Sequence, residues 1–272
     1  EELPFNRAQR AWVARASKSL DSTIAFGSTK PLNRPGDIFF LNSAYPPTKP
    51  EIDAHTQAPV IFGGGHVAHP YATQAFFNIS AMSYGALSGP AISALSAGAQ
   101  QSGIWLNTGE GGLAPFHQAA ACDLVFQIGT AKYGVRDEAG NLDVTKVAEL
   151  AAIPEVKMFE IKLSQGAKPG KGGILPGEKV TDLIASTRGI SQGHDSISPN
   201  RHPEVTDAAS LLDLIERVRS ASGKPTGIKF VMGQTAWLDN LCDAIQLRGI
   251  ESAPDFITLD SADGGTGAAP QG

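Results

Sequence analysis

From about Gln74 onward, short apolar runs alternate with stretches in which apolar residues recur every three or four positions. The runs predict strands at Phe76–Ser80, Ile104–Asn107, Leu124–Ile128, Phe159–Leu163, Gly227–Val231 and Phe256–Leu259. The stretches between them predict helices at Gly89–Ser102, Asp143–Ala151, Val180–Ser186, Asp207–Ala221 and Thr235–Arg248. In the fourth of these, Ala208, Leu211, Leu212, Ile215 and Val218 form one apolar stripe, and Thr206 or Asp207 stands where a cap belongs.

Strands joined by helical crossovers imply a parallel sheet. A doubly wound sheet and a barrel both satisfy that alternation. Polar, glycine-rich sequence follows strand after strand, as at the mouth of a barrel, instead of gathering at one switch point. The expected fold is therefore α/β of the (β/α)8 TIM-barrel type, incomplete in this chain at about six strands. Residues 1–72 read differently. A short helix at Arg7–Leu20 precedes irregular, proline-rich sequence holding two extended apolar pieces, Ile38–Leu41 and Val60–Phe62. They are expected to form a lead segment wrapping a barrel domain at 73–272. Gly63-Gly64-Gly65-His66 reads as a turn, because no strand-to-helix context supports phosphate binding there.

Composition narrows the partners. Hydrophobic residues make up 42% and charged residues 18%, with 30 Gly and 18 Pro, which suits an α/β protein with many tight loops. The net charge of -5 offers no basic surface to nucleic acid, so small molecules or other proteins are the expected partners. Cys122 and Cys242 stand far apart, supporting neither a disulfide framework nor a metal motif, and a reducing, cytoplasmic setting is the default. No apolar run approaches the roughly 18 residues of a membrane span. The chain begins at Glu1 and stops inside a glycine-rich loop, so both ends read as cut, with room upstream for a membrane anchor.

The candidate chemistry lies in the loops after the strands. Small residues at Ser80–Ser88 let backbone approach a flat ligand, though they also suit a plain tight turn. Glu110, set between glycines in Asn107–Gly112, suits proton transfer or the orientation of a substrate ammonium or imine; a solvated loop carboxylate is the plainer reading. The Gln127 amide can donate and accept at once, matching a mixed ring edge, and Lys132 can meet a carboxylate as a point charge. Lys162 and Lys229 sit on successive predicted strands, where buried ammonium groups need an anionic or electron-rich partner. Asp263-Gly264-Gly265-Thr266 is a loop whose backbone can approach a cofactor, a weak signal by itself.

Five stretches occur in one order: Met-Ser-Tyr-Gly-Ala-Leu-Ser (82–88), Asn-Thr-Gly-Glu-Gly-Gly (107–112), Gln-Gly-Ala-Lys-Pro-Gly-Lys-Gly-Gly-Ile-Leu-Pro-Gly-Glu-Lys-Val (165–180), Ile-Ser-Pro (197–199) and Asp-Gly-Gly-Thr-Gly-Ala (263–268). Together they resemble the FMN-binding synthase domain of glutamate synthase and its stand-alone relatives, over roughly residues 78–270. The resemblance implies FMN at the barrel mouth and reduction of 2-iminoglutarate, formed from 2-oxoglutarate and ammonia, to glutamate. It implies flavin contacts from Met82, Ser83, Gly85, Gln127, Lys229, Asp263, Gly264, Gly265 and Thr266. Glu110, Lys132 and Lys162 would be the catalytic residues facing the 2-oxo or imino acid. Electrons would come from a donor protein or a reduced-nicotinamide enzyme.

The departures carry consequences. Lys132 stands where the large enzymes carry arginine, which turns a bidentate clamp into a point charge and leaves the substrate open. The cysteines of an iron–sulfur cluster would lie beyond Gly272, and neither Cys122 nor Cys242 stands in for them. No N-terminal cysteine for glutamine hydrolysis is present, so ammonia would come from elsewhere. The flavin-phosphate loops normally follow the last strands. Residues 1–272 alone are therefore expected to keep little flavin and to be inactive, with the open sheet edge covered by the lead segment or by another copy in a homo-oligomer. Two rivals stay open: a flavin dehydrogenase acting on an N-substituted amino acid, and a barrel that has lost flavin turnover.

Overall fold

A computed structural model describes residues 6–18, 43–48, 50–51, 58–166 and 172–261. The predicted run at 38–41 and the loop at 263–266 lie outside these residues. The chain divides into two compact units, Glu1–Thr56 and Gln57–Gly272. In the first, helix α1 (Arg7–Ala16) opens with a reciprocal cap: Gln9 N donates to Asn6 Oδ1 and Asn6 N to Gln9 Oε1, each at 2.9 Å.

The second unit opens with an antiparallel hairpin, β1 (Val60–Phe62) and β2 (Tyr71–Thr73). Five parallel strands follow in sheet order β3 (Leu106–Asn107), β4 (Leu124–Ile128), β5 (Val156–Lys162), β8 (Thr226–Val231) and β9 (Ile257–Asp260). A small antiparallel pair, β6 (Ile174–Leu175) and β7 (Ser196–Ile197), stands apart from them. The helices are α2 (Gly89–Ser102), α3 (Val144–Ala151), α4 (Asp182–Arg188), α5 (Ala208–Ser222) and α6 (Ala236–Arg248). Their ends follow local chemistry. Ser88 caps α2 and Pro90 occupies its first turn; Asp207 and Ser210 cap α5 reciprocally; Thr181 caps α4, which shifts that helix two residues beyond the predicted start.

The strand expected at Phe76–Ser80 is corrected. Only Ile79 pairs, in one parallel bridge to Leu106. The backbone N–H of Trp105, which a longer ladder would bond to residue 77, donates to the Asn78 side chain at 3.0 Å. Phe76 and Phe77 stay exposed, and the sheet has five strands among the described residues.

The sheet is curled into a half-barrel, and one carboxylate marks the curl. Glu160 on the central strand accepts from Asn107 at 2.8 Å and from Thr258 at 2.6 Å, residues on opposite edge strands. Strands are about 4.8 Å apart, so in a flat sheet those two edges would be about 19 Å from each other. Alternation then gives the sheet two characters. Leu106, Phe126, Ile128, Phe159, Ile161, Ile228 and Phe230 share one core with α2, α3, α5 and α6. The opposite face is layered. Val125 and Met158 are buried near its lower end against Tyr71 of the hairpin, with Phe62, Trp105 and Phe256 packed around them. Asn107, Gln127, Glu160 and Thr258 form a polar middle, and charged residues stand at the carboxyl ends.

Candidate active site

The carboxyl ends of the strands open into a cavity of about 460 Å³. One wall is the backbone-rich loop 80–87, including Met82, Ser83 and Gly85; another is Gly109–Gly111. Met82 is fixed from both sides: its N–H donates to Asn107 O at 3.0 Å, and its carbonyl accepts from His117 Nε2 at 2.8 Å. His117 Nδ1 accepts from Ala114 N at 3.1 Å, so two bonds select one neutral tautomer. Burial holds this imidazole below the ordinary histidine pKa.

Glycine is required where the two walls meet. Gly109 has φ +67°, and a Cβ there would lie 2.7 Å from Ser83 N. A Cβ on Gly129 would lie 2.6 Å from Glu110 Cβ, so a bare backbone seats that carboxylate.

Lys162 and Lys229 are direct register partners on β5 and β8, an arrangement of like charges that needs compensation. Glu110 lies 3.2 Å from Lys162 and Asp260 lies 3.7 Å from Lys229. Lys162 also donates to Gln165 Oε1. Gln127, 1% exposed, donates its amide to Glu160 at 2.6 Å, and its oxygen has no partner.

Arg188, at the end of α4, completes the charge pattern and is a residue that sequence reasoning passed over. It lines the cavity and is 8% exposed. Nη1 donates to Ser196 Oγ at 2.8 Å, which donates to Tyr133 OH at 2.6 Å, and the guanidinium carbon sits 5.0 Å from the Tyr133 ring centroid. Nη2 donates to Tyr84 O at 3.4 Å, while Nε has no partner. Among the described residues no carboxylate pairs with it, and burial pushes its pKa down. Among the described residues, three cations and two carboxylates line one cavity, and the buried Arg188 without a carboxylate partner favours an anionic ligand.

The fold therefore brings Met82, Ser83, Gly85, Glu110, Gln127, Lys162 and Lys229 together. Lys132 is not among the lining residues. It is 1% exposed, takes φ +53°, and pairs with Glu204 at 3.0 Å. Asp263, Gly264, Gly265 and Thr266 lie outside the described residues. Glu160 was also missed: a carboxylate in Val156–Lys162 shows its role only when three strands converge on it. Among the described residues no group of three or more His, Cys, Asp or Glu is arranged to hold a metal ion.

Residues 46–272 match the family described as the conserved region in glutamate synthase. The chain is 32% identical to a glutamate synthase large subunit-like protein of Bacillus subtilis, across 99% of this chain and 57% of that protein. It is 36% identical to the archaeal-type glutamate synthase [NADPH] of Thermotoga maritima and 38% identical to the archaeal glutamate synthase [NADPH] of Archaeoglobus fulgidus. In both cases the match covers 71% of this chain and 34% of the relative, so the chain spans a third to just over half of the proteins it resembles.

Proposed function

The chain belongs to the glutamate synthase family, and on that premise we propose that its cavity holds FMN and reduces a 2-imino acid, formed from 2-oxoglutarate and ammonia, to the amino acid. One observation carries the reading: the cavity joins a buried, unpartnered amide oxygen to a buried guanidinium, Arg188, that no carboxylate pairs with among the described residues. Both features call for a ligand, one an N–H donor and the other negative charge. A flavin with an acidic substrate supplies both, and the residues fit it.

When bound, FMN supplies hydride to the imine carbon. Gln127 Oε1 would accept from an N–H of the flavin, and Lys229 would set positive charge beside it. The backbone of Met82, Ser83 and Gly85, which lines the cavity, would hold the flavin; Asp263, Gly264, Gly265 and Thr266 are assigned to it by family resemblance. Arg188 and Lys162 hold substrate carboxylates. Glu110, ion-paired with Lys162, moves the proton at the substrate nitrogen. Lys132, paired with Glu204 and absent from the cavity lining, is assigned a structural role.

The test uses the full-length protein. Flavin released on denaturation is identified and counted, and glutamate is measured after supplying 2-oxoglutarate, ammonium and a reduced viologen without oxygen. Stoichiometric FMN with glutamate dependent on all three components supports the reading. Flavin with oxidation of an N-substituted amino acid but no glutamate selects the dehydrogenase instead. A flavin-free protein selects the non-catalytic barrel.

A further inference from the structure

A second cavity, of about 680 Å³, lies between the amino-terminal halves of α5 and α6, and its residues play no part in the reaction cavity. Leu163, Val205, Leu211, Trp237 and Leu241 give it an apolar lining, and its volume falls in the range of small-molecule sites. Arg201, Thr206, Asp207 and Asn240 line its exposed rim, and the one buried polar lining residue among those described is His202, which is 1% exposed. Its Nε2 donates to the carbonyl of Lys162 at 3.0 Å, because a carbonyl can only accept. Nδ1 is then the acceptor nitrogen of a neutral imidazole, and it has no partner. Burial, with the nearby Lys132 charge, disfavours the protonated ring.

The amino terminus of α5 makes no call for an anion at this cavity. Asp207 Oδ1 already accepts from Ser210 N at 2.8 Å, so a negative group there would meet a carboxylate, and with Arg201 also on the rim the lining carries one charge of each sign. A neutral ligand fits better. We propose that this cavity is a second small-molecule site, for an uncharged ligand with an aromatic or aliphatic body and one N–H or O–H donor directed at His202 Nδ1. The His202 bond to the Lys162 carbonyl ties this site to the reaction cavity, but the proposal stands whatever that cavity catalyses.

Benzyl alcohol and toluene, which share a ring and differ in the donor, are suitable probes of the full-length protein by saturation-transfer NMR. Benzyl alcohol is expected to bind saturably and about fivefold more tightly than toluene, the worth of one hydrogen bond. Ala209→Trp, on an exposed lining position, should fill the cavity and abolish binding of both. His202→Phe should erase the difference between the probes. If that variant fails to fold, the two probes on the native protein and on Ala209→Trp still decide. Absence of saturable binding, binding that survives Ala209→Trp, or equal affinity of the native protein for both probes overturns the proposal.

Discussion

Gln127 donates its amide N–H to Glu160 across 2.6 Å, and because a carboxylate only accepts, the amide oxygen is the end left free at the cavity wall. Glu160 is thus the group that aims Gln127. It also accepts from Asn107 and Thr258, so one buried carboxylate serves three neutral donors. Glu160→Gln would set an amide N–H against those donors. It is expected to lower the stability of the full-length protein by about 2–4 kcal/mol, read from urea denaturation. Gln127→Leu should leave stability closer to native and weaken flavin binding about five- to tenfold. Unchanged flavin affinity in Gln127→Leu would detach this residue from the cofactor.

Arg188 meets the cavity with a planar guanidinium already oriented by Ser196 and the Tyr133 ring. Arg188→Lys keeps the charge and loses that plane. The Michaelis constant for the 2-oxo acid should rise at least about tenfold, with a smaller change in turnover, in steady-state kinetics of the full-length enzyme. An unaltered Michaelis constant would remove Arg188 from the substrate.

Lys132 offers the opposite expectation. Its ammonium is buried against Glu204, whose side chain is 30% exposed. Lys132→Met should destabilise the protein by about 1–3 kcal/mol, less than for a fully buried pair, and move the Michaelis constant less than about twofold. A large rise in that constant with native stability would instead make Lys132 a direct substrate contact.

His117 and His202 are both held neutral by burial, with folded-state pKa values below the ordinary histidine value of about 6.5. The unfolded chain therefore takes up protons first as pH falls. The stability these groups contribute is fully present above pH about 6.5 and is lost as pH drops from there towards the folded-state values, by up to about 1.4 kcal/mol per pH unit for each histidine. Urea midpoints measured from pH 8 to pH 5 should fall below neutrality, and His202→Gln should flatten the decline. A flat or rising profile would show that these rings are charged in the folded protein.

Much of the fold could be read from periodicity. Leu124–Ile128 is buried on both faces, as expected of a central parallel strand, and Gly89–Ser102 is marked by Ser88 at one end and Gly103 at the other. Phe76–Phe77 misled because their apolar character has no ladder to join: Asn78 takes the N–H that would extend it. The lining of the candidate cavity was legible where a residue type looked out of place, as with lysines on apolar strands. Arg188 carried no such signal, since a basic residue in the last turn of a helix is ordinary. Its place in the cavity depends on β7 and Tyr133 folding over it, a contact that no local pattern records.

Anaerobic mixing of the full-length protein, its flavin first reduced by light, with 2-oxoglutarate and ammonium offers one decisive reading. The flavin absorbance band should return within the time of turnover, and one glutamate should form for each flavin reoxidised, with neither event when ammonium or 2-oxoglutarate is omitted. A band that stays bleached in the presence of both, or that returns without glutamate, would contradict the assignment of this cavity to imino-acid reduction.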